Sequence, residues 1–183
     1  MRPIIVQPPD VSGAALAELK AWLGIRRPNE DALLESLLQA SLSACEDAIS
    51  LTPLVKIVEE RLPNKAGSHC LTSRPIKNLS QIEAIGVDGA RELIDGQAAS
   101  LEFDEAGWAQ LDIGEQSEAS SVAVQVSVGI SDIWEDLPPS LKQAIIRLSA
   151  FYFRERDQDR AEKMPIPSSV EALLRPWREL RLS

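Results

Sequence analysis

Apolar residues recur at helical spacing near the start of the chain, and this predicts two helices. Leu16, Leu19 and Leu23 form one apolar stripe, which predicts a helix over residues 12–23. The next helix is predicted over 29–50, because apolar residues recur there at steps of three and four. The residues of this second pattern are Leu34, Leu37, Leu38, Cys45, Ala48 and Ile49.

The same spacing returns in the last part of the chain. A helix is predicted over 138–156, after two prolines that a first helical turn tolerates, because its amides have no intrahelical acceptor. Its two apolar stripes are typical of a helix at the centre of a fold. A short last helix begins at Ser168, which has the spacing of a capping box with Glu171. Pro176 is expected to bend or stop this helix.

Between these helical parts, apolar and polar residues alternate with the period of β-strands. The clearest run extends from Val122 to Val128, where every second residue is valine. This alternation predicts a strand with one buried and one solvated face. The sequence therefore predicts a mainly α fold of the α+β class: a helical body of about four helices with a small antiparallel β-rich insertion at 54–131.

Composition and charge exclude several classes of partner. The chain has 183 residues, 44% of them hydrophobic, and a formal net charge of −9. An acidic protein is poorly suited to gripping phosphates or an anionic membrane surface. No apolar run approaches the roughly 20 residues of a membrane span, and Pro8 and Pro9 end the apolar start before it could serve as a signal core. We therefore expect a protein made and kept in the cytoplasm.

The residues that could carry chemistry are few. His69 is the single histidine, and with Cys70 and the distant Cys45 it falls short of a zinc ligand set. The adjacent acids Glu59–Glu60 and Asp104–Glu105 could act as acid–base pairs, but in polar stretches they are more often solvated charge. We expect no catalytic residue, no metal and no cofactor. An enzyme with an unrecognised site, in a deep pocket holding His69 and carboxylates, stays open as an alternative.

Charge is distributed unevenly along the chain. From Glu83 to Asp136 there are about thirteen acidic residues and a single basic one, Arg91. This pattern indicates either a soluble, loop-rich surface or a strongly negative face. A negative face would let DNA slide past without binding it.

The C-terminal end combines apolar and basic residues. Trp and Arg are the residues most enriched at the centres of protein interfaces. This stretch either folds back on its own core or docks on another protein, and the residues by themselves leave the two options open. The candidate docking residues are Leu173, Leu174, Arg175, Trp177, Arg178 and Leu180.

Nearly the whole chain resembles the head–tail connector (adaptor) family of long-tailed phages and gene transfer agents. The resemblance rests on the combination and order of several segments. They are Leu16 to Leu23 with Asn29 to Leu34, Arg74-Pro75-Ile76 before Ile82 to Ile85, Val122 to Gly129, Leu137 to Ile146, and Val170 to Arg178. The Ser50 to Pro53 turn and the acidic stretch from Glu115 to Ser120 depart from the pattern of the family.

This resemblance implies a non-enzymatic structural protein of the virion neck. Such proteins form a ring, expected to be dodecameric, between the portal and a tail-side stopper or tail-completion protein, and DNA passes without specific binding. The resemblance implies a connector body at 1–163 and a C-terminal segment at 164–183 that docks on the portal. We expect a free subunit to be a monomer. The alternative is a small cytosolic adaptor or regulatory domain without a virion role.

Overall fold

The computed structural model of the chain combines helices with two β-sheets. Of the described residues, 39% are helical and 33% lie in strands. Residues 3–95, 99–104, 108–116, 119–155 and 166–178 are described. The chain divides into a β unit, Met1–Pro8 with Val55–Gly129, and a helical unit, Pro9–Leu54 with Ile130–Ser183.

Four α-helices make up the described part of the helical unit. They are α1 (Ala14–Leu23), α2 (Asp31–Ile49), α3 (Pro139–Glu155) and α4 (Ser168–Leu174). The bounds of the first three agree with the predicted ranges to within two residues. Helix α1 ends at Gly24, which has φ 73°, a conformation that glycine adopts without steric cost.

Helices α2 and α3 pack against each other through the predicted apolar stripes. Leu34, Leu38, Cys45 and Ile49 are buried along α2, and they share one core with residues of the other three helices. Two serines also lie in this contact, where the Ser149 hydroxyl donates to the Ile145 carbonyl at 2.8 Å and lies 2.9 Å from Ser41 Oγ. These partners satisfy the buried hydroxyl, so it lies in the core without a large penalty.

The β unit contains two antiparallel sheets in its described residues. The larger sheet has the strand order β1-β2-β8-β4-β5, and the smaller one has the order β3-β7-β6. The strands are β1 (Ile4–Gln7), β2 (Lys56–Pro63), β3 (Gly67–Cys70), β4 (Ile76–Gly86), β5 (Arg91–Leu93), β6 (Ala99–Phe103), β7 (Ala109–Ile113) and β8 (Ala119–Val128).

Strand β8 is central to the larger sheet and pairs with both β2 and β4. Its residues Val122, Val124, Val126 and Val128 are all buried, as the alternation predicts. They form one core with apolar side chains of both sheets, including Leu111 of β7. The two sheets of the β unit therefore share a hydrophobic core that is separate from the core of the helical unit.

The predicted fold class is wrong in its proportions. The strands form two sheets with their own core, so the fold is a strand-rich α+β fold rather than a mainly α body with a small excursion. The periodicity of the sequence underestimates the proportion of strand for two reasons. The register of β4 against β8 shifts three times, which interrupts the alternation that a strand otherwise shows. In addition, β1 lies outside the predicted insertion, and all four of its residues are exposed.

We predict that the two faces of α2 respond differently to truncation of a leucine. Leu38 is fully buried, whereas Leu33 is 40% exposed. Leu38→Ala should lower the free energy of unfolding by about 2–5 kcal/mol, because it leaves a cavity in a packed core. The control Leu33→Ala removes the same atoms from the same helix and should cost less than about 1 kcal/mol. Urea denaturation would measure both, and equal losses would contradict the assigned packing.

Candidate assembly surfaces

The predicted docking segment lies against the core of the helical unit. Val170 and Leu174 of α4 are almost fully buried there, and Leu173 is partly buried against the same core. Helix α4 continues into a 3-10 turn, Arg175–Trp177, in which Trp177 is also partly buried. The Trp177 indole N–H donates to the Ser140 hydroxyl on α3 at 2.9 Å. Much of the apolar side of this segment is thus buried by the chain itself.

The charged side of the segment is exposed. Arg175 and Arg178 are both exposed, and Arg178 lies 3.9 Å from Glu171 in a loose ion pair. Leu180, the last of the predicted docking residues, lies outside the described residues. The structure thus brings five of the six candidates together in one short segment, where Leu174 is buried and the two arginines face outward. Whether the segment docks on a portal stays a prediction.

The capping box predicted for α4 is not formed. The residue at the cap position is Pro167, and no side chain makes a capping hydrogen bond. The Pro167 carbonyl instead accepts from the amides of Val170 and Glu171, at 2.8 and 3.0 Å. Ser168 is the first residue of the helix. It therefore occupies the position after the N-cap, whereas the predicted capping box requires it at the N-cap.

Glu59 on β2 is the centre of an ion-pair network on the larger sheet. Its side chain is only 6% exposed, and the Arg91 guanidinium donates to its two oxygens at 2.7 and 3.1 Å. Arg91 also donates to Glu83 at 2.8 Å, while Arg61 lies 3.6 Å from Glu59. The hydrogen bond from Arg91 holds the pKa of Glu59 below its usual range, against the effect of desolvation. Glu59 is therefore an anion that fixes β5 to the sheet.

Glu60 has a different role from that of its neighbour, because successive side chains of a strand point to opposite faces. Its carboxylate accepts from the Thr72 amide at 2.9 Å, from the Thr72 hydroxyl at 2.9 Å and from the Ser73 amide at 2.7 Å. It thereby holds the turn before the cis Arg74–Pro75 bond. Glu59 and Glu60 are both engaged in structural contacts on opposite faces, so they do not form an acid–base pair.

The other residues considered for chemistry are divided between the two units, with His69 and Cys70 in the β unit and Cys45 in the helical unit. The His69 imidazole Nε2 on β3 lies 2.8 Å from the Lys65 carbonyl oxygen. Cys70 is exposed, whereas Cys45 is buried in the helical unit, and burial raises the pKa of its thiol to about 12. Among the described residues, no three histidine, cysteine or acidic side chains are grouped so that they could hold a metal ion.

The acidic stretch from Glu83 to Asp136 is divided between the two units. Asp88, Glu92, Glu102 and Asp112 are exposed on the β unit. Asp132, Glu135 and Asp136 belong to the helical unit, and Glu105 and Glu118 lie outside the described residues. Arg91, the single base of the stretch, is already paired with Glu59 and Glu83. Its charge is therefore compensated within the sheet.

Sequence reasoning missed an apolar edge at the start of the chain. Ile4, Ile5 and Val6 are 49%, 54% and 49% exposed on β1. Strand β1 is an edge of the larger sheet and pairs with β2 alone in the described part of the chain. Three consecutive β-branched residues are a signal for a strand. Their exposure could not be read from the pattern, because it depends on the position of β1 in the sheet.

None of the helices in the described part of the chain combines the length and the apolar content needed to cross a bilayer.

The ion-pair network predicts a specific pH dependence of stability. A lowered pKa in the folded state stabilises the fold above the ordinary carboxyl range, and this stabilisation is lost as the pH falls through the folded-state pKa. Glu59→Gln should therefore lower the melting temperature at pH 7, and the difference from wild type should shrink as the pH falls below about 4. The control Glu92→Gln, at an exposed position of the same sheet, should change little. A Glu59→Gln difference that is constant with pH would contradict the network.

Comparisons with known proteins find this fold in gene transfer agent particles. No family model and no curated protein matches the sequence. Among solved structures, the chain is similar to one from the neck of an empty gene transfer agent particle computed with C6 symmetry, with a TM-score of 0.74 and 21% identity. It is also similar to chains from the neck of a native particle computed with C12 symmetry and from a native virion, with TM-scores of 0.74 and 0.73 and 22% identity each.

In each of these comparisons the match covers 100% of this chain and 98% of the other chain. The agreement therefore extends over both units of the chain and over nearly all of the neighbouring protein. The resemblance to connectors of phages and gene transfer agents is confirmed at the level of the fold. The chain has the fold of a protein found in the neck of a gene transfer agent particle.

Proposed function

We propose that this protein is a structural virion protein, a head–tail connector subunit that forms a ring joining the capsid portal to the tail. The observation that carries the proposal is the whole-chain match to neck proteins of gene transfer agent particles. The C6 and C12 symmetries of those necks favour a ring of identical subunits, with twelve as the expected number. The protein would be made in the bacterial cytoplasm and reside in the neck of a phage or phage-like particle.

The proposed contact with the portal uses the C-terminal segment. Its buried side chains, Val170 and Leu174, hold α4 on the helical unit. This leaves Arg175, Arg178 and the exposed part of Trp177 to meet acidic side chains or carbonyl groups of the partner. A segment that is firmly held by its own unit needs little further ordering when it binds, which favours affinity. The opposite end of the ring would receive the stopper or tail-completion protein.

DNA would pass through the ring without specific binding. A channel that lets DNA slide should offer few cationic contacts, because each Lys or Arg on a phosphate adds a point of adhesion. The exposed acids of the β unit and the compensated charge of Arg91 agree with such a surface. An enzymatic function is not supported, because the residues considered for catalysis are dispersed or engaged in structural contacts.

The arginines of the C-terminal segment provide the test of portal docking. Arg175→Glu with Arg178→Glu should leave stability within about 0.5 kcal/mol of wild type, because both side chains are exposed. The amount of this chain in purified particles should fall about tenfold or more, because like charges would replace attractive pairs at the contact. Quantitative mass spectrometry of the particles would measure this, and thermal denaturation would confirm the fold.

A matched control keeps the charge change and moves its position. Arg26→Glu with Arg27→Glu alters two exposed arginines of the same unit and should leave incorporation near the wild-type level. If the Arg175 and Arg178 variant is incorporated normally, the docking assignment is wrong. If the wild-type chain itself is absent from purified particles, the proposed function is wrong. Deletion after Pro167 is a poorer test, because it would also remove Val170 and Leu174 from the core.

The free subunit should be a monomer. A net charge of −9 opposes self-association in solution, and the ring would form when the portal gathers the subunits. Light scattering of the purified protein at physiological salt should therefore give a mass near 20.0 kDa. A stable ring in the absence of portal would contradict templated assembly while leaving the connector role intact.

A further inference from the structure

In the described part of the chain, the larger sheet of the β unit ends in two edge strands, and both edges carry exposed apolar side chains. At one edge, β1 exposes Ile4, Ile5 and Val6 by about half of their surface. Exposed apolar edge strands promote association, and proteins usually protect them with charges, prolines or bulges. The protecting features of β1 lie at its ends, where Pro3 precedes it, the register shifts between Ile5 and Gln7, and Pro8 follows, while Ile4 to Val6 carry no charge. This edge is therefore suited to a contact with another protein surface.

At the other edge, β5 pairs with β4 alone in the described part of the chain. Leu93 of β5 is 69% exposed, and Val87 in the preceding turn is 91% exposed. Strand β5 has only three residues, but Arg91 ties it to Glu59 and Glu83 through short ion pairs. The strand is thus held in place and can present Leu93 on a defined surface.

A ring of identical subunits needs two different surfaces on each subunit, one for each neighbour, because a surface that binds its own copy closes into a dimer. We infer that the β1 edge of one copy packs against the β5 edge of the next copy, so that the larger sheets of neighbouring subunits adjoin around the ring. This inference rests on the proposed function, since it uses the ring and assigns its subunit contact.

The directions and faces of the two edges agree with this contact. All neighbouring strands of the five-stranded sheet are antiparallel, so β1 and β5 run in the same direction. Rotation about a ring axis that runs along the strands would preserve that direction and bring the two edges together in parallel. Ile4 lies opposite Glu59 and Leu93 lies opposite Glu83. Because Arg91 binds both of these acids, Ile4 and Leu93 point to the same face of the sheet.

Charge and area also favour a second copy as the occupant. Each subunit carries a net charge of −9, so two copies repel each other least where the contacting surface of one copy is uncharged. Strand β1, Ile4–Gln7, is such a surface, because none of its residues is charged. A contact between a four-residue and a three-residue strand is smaller than the roughly 1,200 Å² of a stable interface. Such a contact is too weak to hold free subunits together, and it suits a ring that forms on a template.

Cross-linking tests the contact directly. Ile4→Cys and Leu93→Cys would be introduced singly and together into a chain that also carries Cys70→Ser. Cys45 can remain, because it is fully buried. Particles assembled from each variant would be treated with a short bis-maleimide, whose reach makes the result independent of the exact register. The double variant should give a ladder of covalent oligomers on a denaturing gel, and each single variant should remain monomeric.

The possible outcomes are distinct. Dimers from Ile4→Cys alone would mean that β1 meets β1, which overturns the head-to-tail contact. A double variant that is present in particles but gives no ladder also overturns it, while the connector role stands. Absence of the unsubstituted chain from particles removes the proposed function and this inference together.

Substitution at the edge provides a second, independent test. Ile4→Lys with Val6→Lys should leave the melting temperature nearly unchanged, because both side chains are half-exposed, and should reduce the chain in particles about tenfold. Ile133→Lys is the matched control, since Ile133 is 52% exposed but belongs to the helical unit. Normal incorporation of the β1 variant, or an equal loss with Ile133→Lys, would contradict the assignment.

Discussion

The pairing of β8 with both β2 and β4 is the interaction on which the β unit depends. One face of β8 fills the core between the two sheets with four buried valines, and its backbone joins the strand pairs β1–β2 and β4–β5. Without β8, these pairs would be two isolated hairpin-like fragments, which are marginally stable in water. Strand β8 is central, and the two edge strands, β1 and β5, are the shortest strands of the sheet.

This arrangement separates the groups that stabilise the fold from the exposed groups that we propose for assembly. In the helical unit, Leu174 is buried while Arg175 and Arg178 stay exposed. In the β unit, the valines of β8 are buried while the apolar residues of β1 remain exposed. In the proposed ring, a subunit built in this way would fold before it meets its partners. Assembly would then add contacts without requiring the cores to rearrange.

The ion pairs of the larger sheet link its stability to its surface charge. Arg91 is the single base among about thirteen acids between Glu83 and Asp136, and it is engaged by Glu59 and Glu83. The guanidinium therefore fixes β5 and has little capacity left to contact a phosphate. The same pairing that secures the sheet edge leaves the exposed acids of the β unit uncompensated by Arg91, which agrees with our proposal that DNA passes without binding.

The helices and the best strands are predictable from the sequence alone, because their signals are local. The apolar spacing of α2 and the valine alternation of β8 each follow from the geometry of one element. Tertiary structure decided the rest: the proportion of strand, the exposure of Ile4 to Val6, and the burial of Leu174. Glu59 and Glu60 are adjacent in sequence, yet their partners, Arg91 and Thr72, lie 32 and 12 residues away along the chain. Such contacts depend on which strands become neighbours, and no local pattern encodes that.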